Sequence, residues 1–227
     1  VQGGLYCLVI SGFGSLASIA GWLFDFAVRE FIIGFGTLYL NTGVGVILEN
    51  LWGTVRDIFN LTFIFGLVYI GFQIILGVNE AGAKRTIPYL ILAALLVNFS
   101  LFIVKFIIDF TNYAAAQIYG LFRTENINTD GIDISRAFLN AINFSDILGA
   151  SGQDAPFMLI IGTLFLFLVL FYVFLSGAIL IMIRFIALCF YMIFSPIMFL
   201  GWVFPGMGSY TKDFWRGLLG QAFFAPA

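Results

Sequence analysis

Between Phe157 and Phe204 the chain carries one ionised side chain, Arg184, and as a single helix that stretch of ~48 residues would be ~70 Å long. A hydrocarbon core of ~30 Å needs about 20 residues of helix to cross it, so the stretch is too long for one crossing and about right for two. A soluble fold has nowhere to hide this much apolar surface. Of the 227 residues, 62% are hydrophobic and 10% charged, against the usual ~45–50% and ~25%. Phe alone supplies 29 residues, and mean hydropathy is +1.07. The expected fold class is all-α: a polytopic transmembrane helical bundle with an interfacial amphipathic helix and one extramembrane loop.

Hydropathy and turn residues divide the chain into an N-terminal apolar segment, 1–41, and a transmembrane domain, 42–227. Leu5 to Val28 is apolar apart from Ser11, Ser15, Ser18 and Asp25, and reads either as a span or as a signal-like, interfacial helix. Asp25 lies near one end, where a carboxylate reaches water. Phe31 to Leu40 is too short to cross. From Val44 to Asn60, the residues Val44, Ile47, Leu48, Leu51, Val55, Ile58 and Phe59 recur at helical spacing. Glu49, Asn50, Arg56 and Asp57 mostly lie toward another side, which predicts an amphipathic helix at the interface. Trp52 is its expected anchor at headgroup level, a role also expected of Trp202 and Trp215.

Ile58 to Leu76 reads as a span ending at Gly77. After a short polar connection, 78–85, a second span begins near Thr86-Ile87-Pro88 and runs through Ile108, continuing as helix to about Phe122. Proline is tolerated in a first helical turn, where its missing N–H has no partner to lose. The 123–156 stretch is the one sizeable hydrophilic segment and reads as an extramembrane loop with a short helix, Ile134 to Phe144. Ser195-Pro196 predicts a helix break. Pro205 to Gly208 is a turn, followed by an interfacial stretch, Tyr210 to Arg216. The start at Val1 and the apolar end at Phe223 to Ala227 read as an excerpt of a longer protein.

Lys and Arg in short loops set orientation. Lys84 and Arg85 place the 78–85 loop in the cytoplasm, and the 123–156 loop is then extracytoplasmic. Its basic residues, Arg123 and Arg136, are outnumbered by Glu125, Asp130, Asp133, Asp146 and Asp154. Whether Phe185 to Phe204 crosses fully or re-enters stays open at this point.

The chemistry available is narrow. Histidine is absent, which removes the commonest general base and transition-metal ligand. Cys7 and Cys189 sit in apolar runs and read as small hydrophobes rather than a disulfide. There is no phosphate-binding Gly-x-x-x-x-Gly-Lys-Ser/Thr motif, and the formal net charge of −2 leaves no nucleic-acid footprint. The expectation is no enzyme, no metal and no cofactor.

The sharpest feature is a polar stripe, Asn98, Lys105, Asp109 and Asn112, which falls within an arc of roughly 60° on one helix. It either lines a hydrated path or binds a partner, or else Lys105 and Asp109 pair at i,i+4 while Asn98 ties neighbouring helices together. Arg184 needs a carboxylate, carbonyls or water around it. Asp109 and Asp57 are the available carboxylates by rough depth, and the alternative is a residue at the cytoplasmic interface between two spans, snorkelling to headgroups. Arg56, Asp57 and Asn60 form a polar cluster where the first core span begins. Gly66, Gly71 and Gly177 mark close helix packing.

Trp52-Gly53-Thr54-Val55-Arg56-Asp57-Ile58-Phe59-Asn60-Leu61-Thr62-Phe63-Ile64-Phe65 resembles the start of the first core span in TrbL-like proteins, polytopic inner-membrane subunits of type IV secretion and conjugal transfer machines. Leu95-Leu96-Val97-Asn98-Phe99-Ser100-Leu101-Phe102, with Lys105, Asp109 and Asn112 after it, is similar to the next span. Ser195-Pro196-Ile197-Met198-Phe199-Leu200 through Pro205-Gly206 is similar to a later one. The resemblance covers about residues 45 to 227 and leaves Leu5 to Val28 unaccounted for. It implies a bacterial inner membrane and a periplasmic loop at 123–156. It also implies partners: other inner-membrane and core-complex subunits and separate ATPases, with DNA or protein only as transported substrate; membrane lipids and further copies of the chain are expected beside them. The rival readings are a self-contained secondary transporter or ion-coupled channel, and a structural membrane anchor.

Overall fold

The computed structural model describes residues 2–78, 80–120, 135, 157–202 and 205–224. Helix α1 spans Gln2–Val28, a π-helical turn Arg29–Ile33, α2 Phe35–Asn41, α3 Val44–Ile75, α4 Glu80–Gly120 and α5 Phe157–Ile193. A 3-10 segment, Ser195–Trp202, and a 3-10 turn, Pro205–Met207, lead into α6, Gly208–Phe223. The structure is 95% helical, with no strand among the described residues. Among the described residues three helices are long and apolar enough to cross a membrane: Val44–Ile75, Ala81–Ile118 within α4 and Ile161–Ile193 within α5. The expected 123–156 loop and its Ile134 to Phe144 helix lie outside the described residues, apart from Ser135.

Three expectations are corrected. The interfacial helix and the first core span are one continuous helix, α3. Its stops are Gly43 at φ +76° and Gly77 at φ +69°, left-handed positions that suit glycine, and no proline or positive φ interrupts it between them. Arg56 and Asp57 are accommodated by pairing with each other at 2.8 Å. Helix α4 begins at Glu80, so Pro88 stands inside the helix rather than in its first turn. Finally, the stretch expected to cross twice holds one long helix, α5, because nothing breaks the backbone ladder before Pro196. The 3-10 segment that follows is eight residues long, far short of a crossing.

The chain divides into two compact units, Val1–Phe35 with Ala114–Arg184, and Gly36–Tyr113 with Phe185–Ala227. In the first, α1 packs its small residues on α5. Ala20, Leu170 and Phe174 form the buried core, with Phe24, Leu166, Phe171 and Leu175 around it. Gly177 leaves room for the Phe24 ring, which would stand 2.9 Å from a Cβ there. Asp25 accepts hydrogen bonds from the Ser135 N–H at 3.1 Å and from its hydroxyl, so a carboxylate expected to face water instead holds a residue 110 positions away.

In the second unit α3 and α4 run antiparallel across the turn at Leu76 to Val78, with Gly66 beneath the Leu90 side chain. Helix α6 is fastened to the 3-10 segment by Thr211, whose hydroxyl accepts from the Gly201 N–H at 3.0 Å and donates toward the Ile197 carbonyl at 3.3 Å. Tyr191 meets Phe214 edge to face at 5.1 Å, and its hydroxyl occupies the space a Cβ on Gly217 would take. Gly217→Ala is therefore expected to destabilise by about 1–3 kcal/mol through overpacking. Gly220→Ala, which meets nothing within 4 Å, should be neutral or mildly stabilising when both variants are unfolded in mixed detergent micelles.

Candidate functional site

The polar side chains of the second unit gather along the seam between α3 and α4. At one end Lys105 donates to Glu49 Oε1 at 2.9 Å, and the Tyr39 hydroxyl donates to the same oxygen at 2.7 Å. The Lys105 ammonium stands 4.1 Å from the centre of the Tyr39 ring, a cation–π contact. Tyr39 reaches this point because α2 folds back on α3: Gly45 packs against the Tyr39 carbonyl and ring, where any side chain would collide. Burial raises the Tyr39 phenol above its ordinary value of 10, which keeps it a hydrogen-bond donor to the carboxylate at neutral pH.

One turn along α3, the Trp52 indole N–H donates to Ser100 Oγ at 3.0 Å. The Ser195 hydroxyl, at the start of the 3-10 segment, donates to the same oxygen at 3.0 Å. Ser100 and Ser195 are both fully buried. The break at Ser195-Pro196 thus does more than end α5: it releases a hydroxyl into a junction of three elements. Next comes Arg56, 4.8 Å over the Trp52 ring and held by Asp57. Asn60 and Asn98 then exchange amide hydrogen bonds at 3.3 and 3.4 Å, and Asn98 also donates to the Ala94 carbonyl at 2.8 Å. From Glu49 to Asn60 this ladder extends along ~16 Å of helix axis.

The predicted sites are partly brought together. Asn98 and Lys105 join the ladder, whereas Asp109 is exposed and Asn112 buried, so the stripe on α4 does not act as one face. The ion pair Lys105 makes is with Glu49, not with Asp109 at i,i+4, because the antiparallel neighbour offers a carboxylate at the same height. Of the expected cluster, Arg56 pairs with Asp57, while Asn60 bonds Asn98 on α4. The Trp52 N–H is turned into the seam, onto Ser100. Trp215 is half-buried on α6, and the Trp202 side chain lies outside the described residues. Arg184 does not sit between two spans but inside α5, with 1% of its surface exposed.

Sequence reasoning missed Glu49, Tyr39 and Ser100. A signal existed in Glu49, Trp52, Arg56 and Asn60, spaced by three, four and four, which places one polar-capable stripe on α3. What a single helix could not reveal was that this stripe faces the one on α4. Among the described residues no group of three or more Cys, Asp or Glu stands close enough to hold a metal ion.

No family model matches the chain, and no curated protein or solved structure is significantly similar to it. Fold and seam together define the class: an all-α chain with, among the described residues, three helices long and apolar enough to cross a membrane, two of them joined by a polar ladder.

Proposed function

We propose that this chain is a channel or scaffold subunit of a type IV secretion-like apparatus in a bacterial inner membrane, of the TrbL-like kind, moving DNA or protein and performing no catalysis itself. The observation that carries the reading is the ladder from Glu49–Lys105 to Asn60–Asn98. It lies almost wholly within the two stretches that resemble the first core spans of that family, and it gives them a rigid polar spine that a simple lipid anchor does not need. On this reading the 78–85 connection is cytoplasmic, the 123–156 segment is periplasmic, and separate ATPases supply the energy.

Deleting the gene in its host should reduce transfer of the machine's substrate to background, and the wild-type copy should restore it. A copy with Lys105→Met should insert in the membrane yet restore little. Normal transfer from the deletion strain overturns the proposal. A second reading, a self-contained transporter, draws on the break from α-helix to 3-10 helix at Ser195 and its hydrogen bond into the ladder. Substrate-dependent flux in liposomes holding this chain alone would favour it.

A further inference from the structure

Helices α1 and α5 run in the same direction. A Cβ on Gly14 would stand 3.4 Å from the Phe167 ring, one on Gly21 3.8 Å from the Phe174 ring, and one on Gly177 2.9 Å from the Phe24 ring. Phe24 and Phe174 also meet, with ring centres 5.8 Å apart. Each step along α1 is matched by a step along α5 at one constant offset in sequence, so the two helices are parallel.

That direction is incompatible with α1 as a further span. Where α3, α4 and α5 each cross, the antiparallel pair α3 and α4 returns the chain to the side from which α3 started, and α5 leaves from that side. The hydrophilic 123–156 stretch, with seven ionised side chains, has no run of about 20 apolar residues with which to add a crossing. A crossing α1 would have to end where α3 starts, and would therefore run opposite to α5. The connection between α1 and α3 cannot supply the missing passage. Its helical pieces, Arg29–Ile33 and Phe35–Asn41, and the three residues around them reach at most ~28 Å when laid end to end. The hydrocarbon core is ~30 Å thick, and α2 spends its length folding back on α3.

Two further observations agree with this topology. The Asp25 carboxylate accepts from the Ser135 N–H and hydroxyl, and a Cβ on Gly21 would stand 3.1 Å from the Ser135 Cβ. Ser135 belongs to the hydrophilic stretch, so α1 is held where that stretch lies, and its carboxylate is satisfied without entering hydrocarbon. Helix α5 is also longer than one crossing. Its 37 residues extend ~55 Å, while a ~30 Å core crossed at the steepest usual tilt of about 40° takes up ~39 Å. At least ~16 Å of it stands outside.

We infer that α1 does not cross the membrane, and that it stands with the N-terminal turns of α5 on the side of the 123–156 stretch. The N-terminal apolar segment is then an extramembrane partner of α5 within the same chain. The inference fixes sides relative to one another. It depends neither on what the chain transports nor on which side is the cytoplasm.

The test is labelling of single cysteines in the full chain by a membrane-impermeant maleimide, in intact cells and in inverted vesicles, with Cys7 and Cys189 replaced by Ala. Asn128→Cys reports the side of the hydrophilic stretch and Val78→Cys the opposite side. Ser15→Cys and Arg29→Cys, at exposed positions toward the two ends of α1, should both react in the preparation that labels Asn128→Cys and not in the other. Reaction of Arg29→Cys from the Val78 side, protection of Ser15→Cys or Arg29→Cys in both preparations, or labelling of Val78→Cys from the same side as Asn128→Cys overturns the inference.

Discussion

Ser100→Ala is expected to cost about 2–3 kcal/mol of stability, more than any other removal of a single oxygen from the second unit. The Ser100 hydroxyl accepts from two donors, the Trp52 indole and the Ser195 hydroxyl, in a site where both serines are shut off from their surroundings. Deleting the acceptor strands both donors, and an unsatisfied buried donor costs about 1–3 kcal/mol. Ser195→Ala removes only one donor and leaves the indole bond in place, so it should cost about 1 kcal/mol. Unfolding in mixed detergent micelles, followed by Trp fluorescence, would rank the two variants. Equal effects, or a silent Ser100→Ala, would show that the junction is not the closed network described here.

The second large effect belongs to the other end of the ladder. Lys105→Met removes the cation from Glu49 and from the Tyr39 ring together, leaving a carboxylate whose remaining donor is the Tyr39 hydroxyl. The side chains keep 28% and 51% of their surface exposed, so the loss should fall below the ~3–5 kcal/mol typical of breaking a fully buried pair, at about 1–2 kcal/mol. Glu49→Gln should be milder, because an amide oxygen still accepts from both donors. In a double-mutant cycle, Glu49→Leu with Lys105→Met should cost less than the sum of the single changes, by about 1 kcal/mol. Strict additivity would mean that the 2.9 Å contact contributes nothing. Under the proposed function, transfer should fall with Lys105→Met even where the double variant recovers stability, since the spine would then lack its charges.

What could be read directly from the residues were properties each helix carries alone. That the Val44 to Ile75 and Phe157 to Ile193 runs are helical and each long enough to cross needs only hydropathy and 1.5 Å per residue. The break at Ser195-Pro196 follows from proline's missing N–H. Arg56, Asp57, Asn60, Asn98 and Lys105 were visible as anomalies because ionised and amide groups are rare in such runs. Two expectations fail because polar side chains and total length do not by themselves divide a helix. Arg56 and Asp57 read as the entry to the first core span, and Arg184, in one reading, as a residue at the interface between two spans, yet helices α3 and α5 pass through them without interruption. Side-chain charge does not stop a helix whose backbone bonds are all internal; only proline or a left-handed residue does so cheaply.

The amino-acid sequence by itself determined that the chain is helical, that its long runs are apolar enough to cross a membrane, and that helices end at Gly77 and before Pro196, because those are consequences of hydropathy, of a glycine and of proline's missing N–H. Which polar group meets which was decided only by tertiary structure. Lys105 has a carboxylate four residues away in Asp109, and instead it bonds Glu49, 56 positions distant. The reason is geometric: an antiparallel partner helix sets its side chains at matching heights across the seam, and that register arises from packing two faces together, which no periodicity within one helix contains.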